Sequence, residues 1–78
     1  MENAVTVLRV ARVRTGLSLR AFAQQHDLSE VTLCNVERGK YYIPPAWREK
    51  LAKVLGISIN ELCDENGWPR LERVRAAS

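Results

Sequence analysis

Residues Arg12–Lys40 read RVRTGLSLRAFAQQHDLSEVTLCNVERGK. Ser18 and Ser29 each stand before a short segment with apolar residues at helical spacing, and a serine hydroxyl there accepts from an otherwise unpaired N–H of the first turn. In the first segment, about Leu19–His26, Phe22 and Ala23 point inward. In the second, about Glu30–Arg38, Leu33 and Val36 share a buried face with Cys34 close by, which leaves Glu30, Val31, Thr32 and Asn35 exposed. Asp27 lies where the chain must turn sharply; Asp is one of the few residues besides glycine that tolerate the left-handed region. Leu28 then plugs the angle between the two helices, and Gly39 stops the second.

Upstream, about Ala4–Arg14 is expected to be a first helix, with Val5, Leu8 and Arg12 on one face, the stem of Arg12 lying along apolar neighbours, and Gly16 just past its end. Val5, Val7, Val10 and Val13 are β-branched and would suit a strand. Arg9, Arg12 and Arg14 decide for a helix, because strand alternation would place charges on both faces. Downstream, Lys40–Ile43 is a connection and Pro44-Pro45 opens a fourth helix with proline in its permitted first turn. Trp47, Leu51, Val54 and Leu55 form its apolar stripe up to Gly56. Ser58-Ile59-Asn60-Glu61 has the spacing of a capping box and starts a fifth, short helix ending near Cys63. Asn66-Gly67 and Pro69 mark a turn, and the tail from Arg70 either adds one more helical turn or frays. The expectation is an all-α, compact bundle of five short helices without a sheet, residues 1–67 forming the domain and 68–78 a tail that dimerises or packs on helix one.

Seventy-eight residues make one domain, which buries roughly 60% of its unfolded surface. An apolar fraction of 46% excludes intrinsic disorder as the starting assumption. The net charge of +3 mildly favours an anionic partner. Residues 1–40 hold six basic and four acidic side chains and residues 41–78 six and five, so a basic face has to be made by folding. The apolar runs are too short to span a membrane. The start, MENAVTVLRVARVR, lacks the features of a secretion signal. A cytoplasmic location with reduced thiols is therefore expected. Cys34 and Cys63 form no Cys-x-x-Cys or Cys/His cluster, so neither a metal nor another cofactor is expected. Catalysis needs a nucleophile and a base together. A single histidine, His26, read as exposed near the turn, with scattered hydroxyls, offers no such set, and an enzyme is not expected.

Gly16-Leu17-Ser18, Glu37-Arg38-Gly39-Lys40, Leu51-Ala52-Lys53-Val54-Leu55-Gly56 and Ser58-Ile59-Asn60-Glu61-Leu62 occur in this order. In them the chain resembles the lambdoid-phage repressor/Cro type of helix-turn-helix protein, often called the Xre family. The resemblance implies a lambda-repressor-like DNA-binding domain whose helix-turn-helix is made by helices two and three, the second of these entering the major groove. Glu30, Val31, Thr32 and Asn35 then face the bases: Glu30 accepts from a cytosine amino group, Val31 or Thr32 touches a thymine methyl, and Asn35 pairs with adenine or binds a phosphate. Arg14, Arg20, Gln24, Arg38, Lys40 and the Tyr41 and Tyr42 hydroxyls are expected on phosphates, with N–H groups at the starts of helices two and four. The resemblance makes Arg12 and Glu37 a buried ion pair tying helix one to helix three. The chain departs from the family at Leu19, where glutamine is common, at Asp27 in place of the turn glycine, and at Val31 in place of a polar base reader.

One such unit reads few base pairs, so a homodimer on a palindromic duplex is expected. Ile57, Ile59, Trp68, Leu71 and Val74 are candidates for its interface. The alternative destination for Trp68 and Leu71 is Val7 and Val10 of helix one. The resembled proteins are small transcription regulators of phages and mobile elements that act by occupying a promoter or touching RNA polymerase. The same fold also serves antitoxins and restriction-system controllers, for which the segment after Gly67 would bind a partner protein, and adaptors that no longer bind DNA.

Overall fold

The structure, a computed structural model, describes residues 5–72. It has five helices, α1 (Val7–Arg14), α2 (Leu19–Gln25), α3 (Glu30–Glu37), α4 (Pro45–Leu55) and α5 (Ile59–Leu62). Four begin on hydroxyl caps. Thr6, Ser18, Ser29 and Ser58 accept from Arg9, Ala21, Thr32 and Glu61 N–H groups respectively. At α5 the box is reciprocal, with the Ser58 N–H donating to Glu61 Oε1 at 3.0 Å.

Helices α2, α3 and α4 end alike. Leu28 N–H donates to Ala23 O at 2.8 Å, Lys40 to Asn35 O at 2.9 Å and Ile57 to Ala52 O at 3.0 Å. Each bond spans a residue of positive φ, respectively Asp27 (57°), Gly39 (74°) and Gly56 (69°). This is the closure that reverses a chain tightly at a helix end. At Asp27 it sets the angle between α2 and α3, and Leu28 packs partly buried against the core.

Phe22, Leu8, Leu33, Val36, Ile43, Leu51 and Leu62 are all fully buried and form one core with Ala23 and Cys63. Trp47, Leu55 and Ile57 pack against it partly buried, whereas Val54, placed in the buried stripe by its spacing, is 40% exposed. Ile43 was assigned only to a connection. It is buried because its N–H donates to Gly67 O at 2.7 Å and its carbonyl accepts from Arg48 Nε at 2.8 Å, which pins the loop over the core. The Arg48 guanidinium lies so close over Gly67 that a Cβ there would overlap it, and Gly67 has φ 88°.

Two expectations are corrected at the ends. Helix one begins at Val7, not Ala4: Thr6 is extended and caps it, and Ala4 lies outside the described residues. The tail as far as Glu72 neither winds nor frays but is extended. Asp64 N–H bonds Trp68 O and Arg70 N–H bonds Leu62 O on one side; Val7 N–H bonds Arg70 O and Glu72 N–H bonds Val5 O on the other. These bonds make two isolated antiparallel bridges, Cys63 to Pro69 and Thr6 to Leu71. Residues 68–72 are thus an extended segment bonded on one side to residues 5–7 and on the other to the end of α5, without forming a sheet among the described residues. Val74 lies outside the described residues.

The turn geometry gives the first expected outcome. Asp27→Gly relieves the positive φ and raises stability, while Asp27→Val, which bears a branched side chain there, lowers it. Each change is about 1 kcal/mol in urea unfolding.

Candidate nucleic-acid interface

The placement of α3 rests on α1. Arg12 Nε donates to Glu37 Oε2 at 2.6 Å and Nη2 to Oε1 at 3.2 Å, while Nη1 donates to Leu17 O at 2.8 Å. Both side chains are buried, 11% and 5% exposed. Thr6 Oγ1 also donates to the Glu37 carbonyl at 2.9 Å. The last residue of α3 is therefore held through main chain and side chain by two residues of α1, its N-cap Thr6 and Arg12 of its last turn. Lys50 of α4 donates to His26 O at 2.6 Å, placing a cation at the carbonyl end of α2. The His26 ring packs on Phe22 with centroids 4.5 Å apart, and it is half-buried rather than exposed.

With Leu33, Val36 and Glu37 turned into the protein, α3 presents Glu30, Val31 and Asn35 outward, Val31 at 73% exposure. Thr32, expected with them, is half-buried. Leu19, Glu30, Val31, Cys34 and Asn35 line a shallow, mostly apolar depression of about 270 Å³. A second groove adjoins it at Leu19 and Cys34 and is lined also by Arg9, Arg12, Glu37 and Arg38.

The basic residues named from the sequence do not all gather there. Arg38 closes α3 and lines the second groove; Arg20, Gln24 and Lys40 are exposed. Arg14 lines a different groove, made by α1, α5 and the extended segment 70–72 with Val7, Val10, Ile57 and Leu71. Arg9, not singled out in the sequence, is the exposed arginine of α1 beside α3. Its signal was present, since it stands three residues before Arg12 on the same face. The start of α4 is a poor anion site because Pro45 has no N–H and the Trp47 N–H already bonds Pro44 O at 2.8 Å. Tyr41 and Tyr42 are exposed with ring centroids 4.5 Å apart. The neighbouring Tyr42 side chain raises the Tyr41 phenol above its ordinary pKa.

The dimer candidates also separate. Ile57 and the exposed Leu71 flank the α1–α5 groove, so Leu71 does lie by Val7 and Val10. Trp68 does not; its ring meets Tyr42 edge-on, centroids 6.3 Å apart. Ile59 is 42% exposed and lines neither.

An exposed helix, projected by a tight turn and braced by a buried ion pair, is the arrangement that enters a DNA groove. A family described as helix-turn-helix domain matches residues 5–65. The chain belongs to that family. No curated protein and no solved structure matches it. Helix-turn-helix membership makes this a DNA-binding regulator, with α2 and α3 as the two helices that flank the turn at Asp27. Among the described residues, no helix is long and apolar enough to cross a membrane, and no three His, Cys, Asp or Glu side chains are grouped to hold a metal ion.

The ion pair carries an expected outcome. Arg12→Met or Glu37→Gln alone leaves one buried group unmatched and lowers unfolding free energy by about 3–5 kcal/mol. Combining Arg12→Met with Glu37→Leu restores most of it, as measured by denaturant unfolding.

Proposed function

We propose that this helix-turn-helix protein is a sequence-specific transcription regulator of the repressor/Cro type, which binds a palindromic duplex site as a homodimer and is not an enzyme. The observation that carries the reading is the outward face of α3, where Glu30, Val31 and Asn35 stand free of the core with Arg9 and Arg38 beside them. On this reading α3 lies in the major groove and Asn35 and Glu30 bond base edges. Arg9, Arg20, Arg38, Lys40 and the tyrosine hydroxyls then hold phosphates and set the register. Thr32 contributes less to base reading than a fully exposed residue would. Regulation follows from occupancy of a promoter, with contact to RNA polymerase from an adjacent site as a second route. The proposed dimer surface is the Ile57–Leu71 groove, whose exposed apolar edge suits a second copy. The resemblance to phage and mobile-element regulators extends to the proposed setting, a reduced cytoplasm.

Selection of bound sequences from random duplex DNA tests the proposal, with a palindrome as the expected product. If about six phosphates per dimer are neutralised, the slope of log affinity against log salt is near −5. A salt-independent affinity, or a binding curve unaltered by Asn35→Ala together with Arg38→Ala, would remove the reading.

Thiol labelling gives an independent check. Burial raises the Cys63 thiol above its ordinary pKa, partly offset by Arg48, so it stays protonated and shielded. Half-buried Cys34 lines both grooves beside α3. An alkylating reagent is expected to modify Cys34 first, and bound duplex DNA to slow that reaction several-fold.

A further inference from the structure

Three large aromatic side chains stand exposed together beyond the end of α3. Tyr41 packs on Tyr42, and Tyr42 meets Trp68 edge-on; Trp68 is 44% exposed. Such a surface loses free energy to water unless a ligand covers it. Trp68 is held there by its backbone. Its N–H donates to Asp64 Oδ1 at 2.9 Å and its carbonyl accepts from the Asp64 N–H at 2.9 Å, while the Gly67 carbonyl accepts from the Ile43 N–H at 2.7 Å. Arg48 of α4 brings a cation to the same place. Its Nε donates to the Ile43 carbonyl at 2.8 Å, and its Nη2 lies against Gly67, the residue before Trp68, where the lack of a Cβ makes room. Among the described residues neither Nη group bonds an acceptor, and neither is sealed from solvent.

We propose that Arg48 and Trp68, with the Tyr42 ring packed on Trp68, form a site for one phosphate of the duplex backbone outside the helix-turn-helix itself. Arg48 holds two phosphate oxygens through Nη1 and Nη2, the end of the guanidinium that the protein leaves open. The Trp68 indole N–H is a donor only and takes a further oxygen, while its ring covers the adjoining sugar. The inference rests on the DNA-binding reading and carries the contacted backbone past the α3–α4 connection to the segment after α5. The surroundings favour a polyanion as the occupant. Arg38 and Lys40 are exposed and precede the aromatic cluster in the chain, so positive charge runs from the end of α3 towards it. The Asp64 carboxylate, the acidic group bonded to this turn, is engaged by the Asn66 and Trp68 N–H groups at 2.9 Å each.

The test uses the full chain and the duplex it selects. Trp68 reports directly, because acrylamide reaches its exposed ring more readily than that of Trp47, which packs against the core. Bound duplex is expected to cut the quenching of the accessible tryptophan several-fold, an effect lost in Trp68→Phe. Arg48→Gln is expected to weaken binding about tenfold. It also makes the slope of log affinity against log salt shallower by about two units per dimer, one phosphate for each protomer. Arg48→Lys keeps the charge and so restores the slope, but regains only part of the affinity because an ammonium lacks the fork. The slope counts ions released from phosphates, so a purely structural role of Arg48 would lower affinity and leave it unmoved. Three results overturn the site and leave the DNA-binding reading standing: Trp68 quenched equally with and without duplex in the unsubstituted chain, a slope unaltered in Arg48→Gln, or shielding of Trp68 that follows protein concentration without DNA. Absence of duplex binding overturns both.

Discussion

Arg12 is the point at which three parts of the chain meet. Its guanidinium reaches the Glu37 carboxylate at the end of α3 through Nε and Nη2, and the Leu17 carbonyl at the entry to α2 through Nη1. A planar fork with donors in fixed directions suits this better than a lysine ammonium. Taking two charges out of water is costly, and such a pair offsets that cost only when its geometry is good and its remaining atoms are bonded. Here no buried side-chain nitrogen or oxygen among the described residues lacks a partner. What the pair supplies is direction: it ties the end of α3 to α1, and with it the angle at which the outer face is presented.

The rest of the structure extends that constraint. Thr6 caps α1 through its hydroxyl oxygen and, through the same hydroxyl, donates to the Glu37 carbonyl. Its backbone neighbours Val5 and Val7 bond the extended segment 70–72, and Arg70 bonds back to Leu62 at the end of α5. Lys50 fastens α4 to the end of α2. A domain this small has little core to spare. Its polar bonds at helix ends therefore take over part of the positioning that a larger core would provide. The exposed α3 residues Glu30, Val31 and Asn35 lie outside this net of bonds.

Much of the fold was legible because it is encoded locally. Ser18, Ser29 and the Ser58–Glu61 box mark helix starts by a chemistry that acts within three residues, and Asp27, Gly39 and Gly56 mark ends by the φ they tolerate. The spacing of Leu33 and Val36 gave the buried face of α3 and, by subtraction, most of the outer one. Residues whose environment is made by distant chain were missed. Thr6 falls inside the helix expected from Ala4 until Glu37 is brought to it and it caps α1 instead, and Ile43 looks like loop until Gly67 and Arg48 close over it. Helix periodicity places Thr32 on the outer face, but its surroundings leave it half-buried. Arg9, three residues before Arg12, lines the groove beside α3, whereas Arg14 lines the α1–α5 groove.

By itself the sequence determined where the helices start, stop and turn, because caps, positive-φ residues and apolar periodicity act over one or two turns. The sequence, through its resemblance to other helix-turn-helix proteins, also pointed to Arg12 and Glu37 as partners. Tertiary structure alone decided that residues 68–72 run extended between residues 5–7 and the end of α5, since backbone donors are blind to side-chain pattern and pair with whatever folding brings alongside. It decided too that Trp68 meets Tyr42 and that Arg9 flanks α3. And it made a concavity from Leu19, Val31 and Cys34: residues fifteen positions apart share a wall only after the turn at Asp27 has folded α2 against α3.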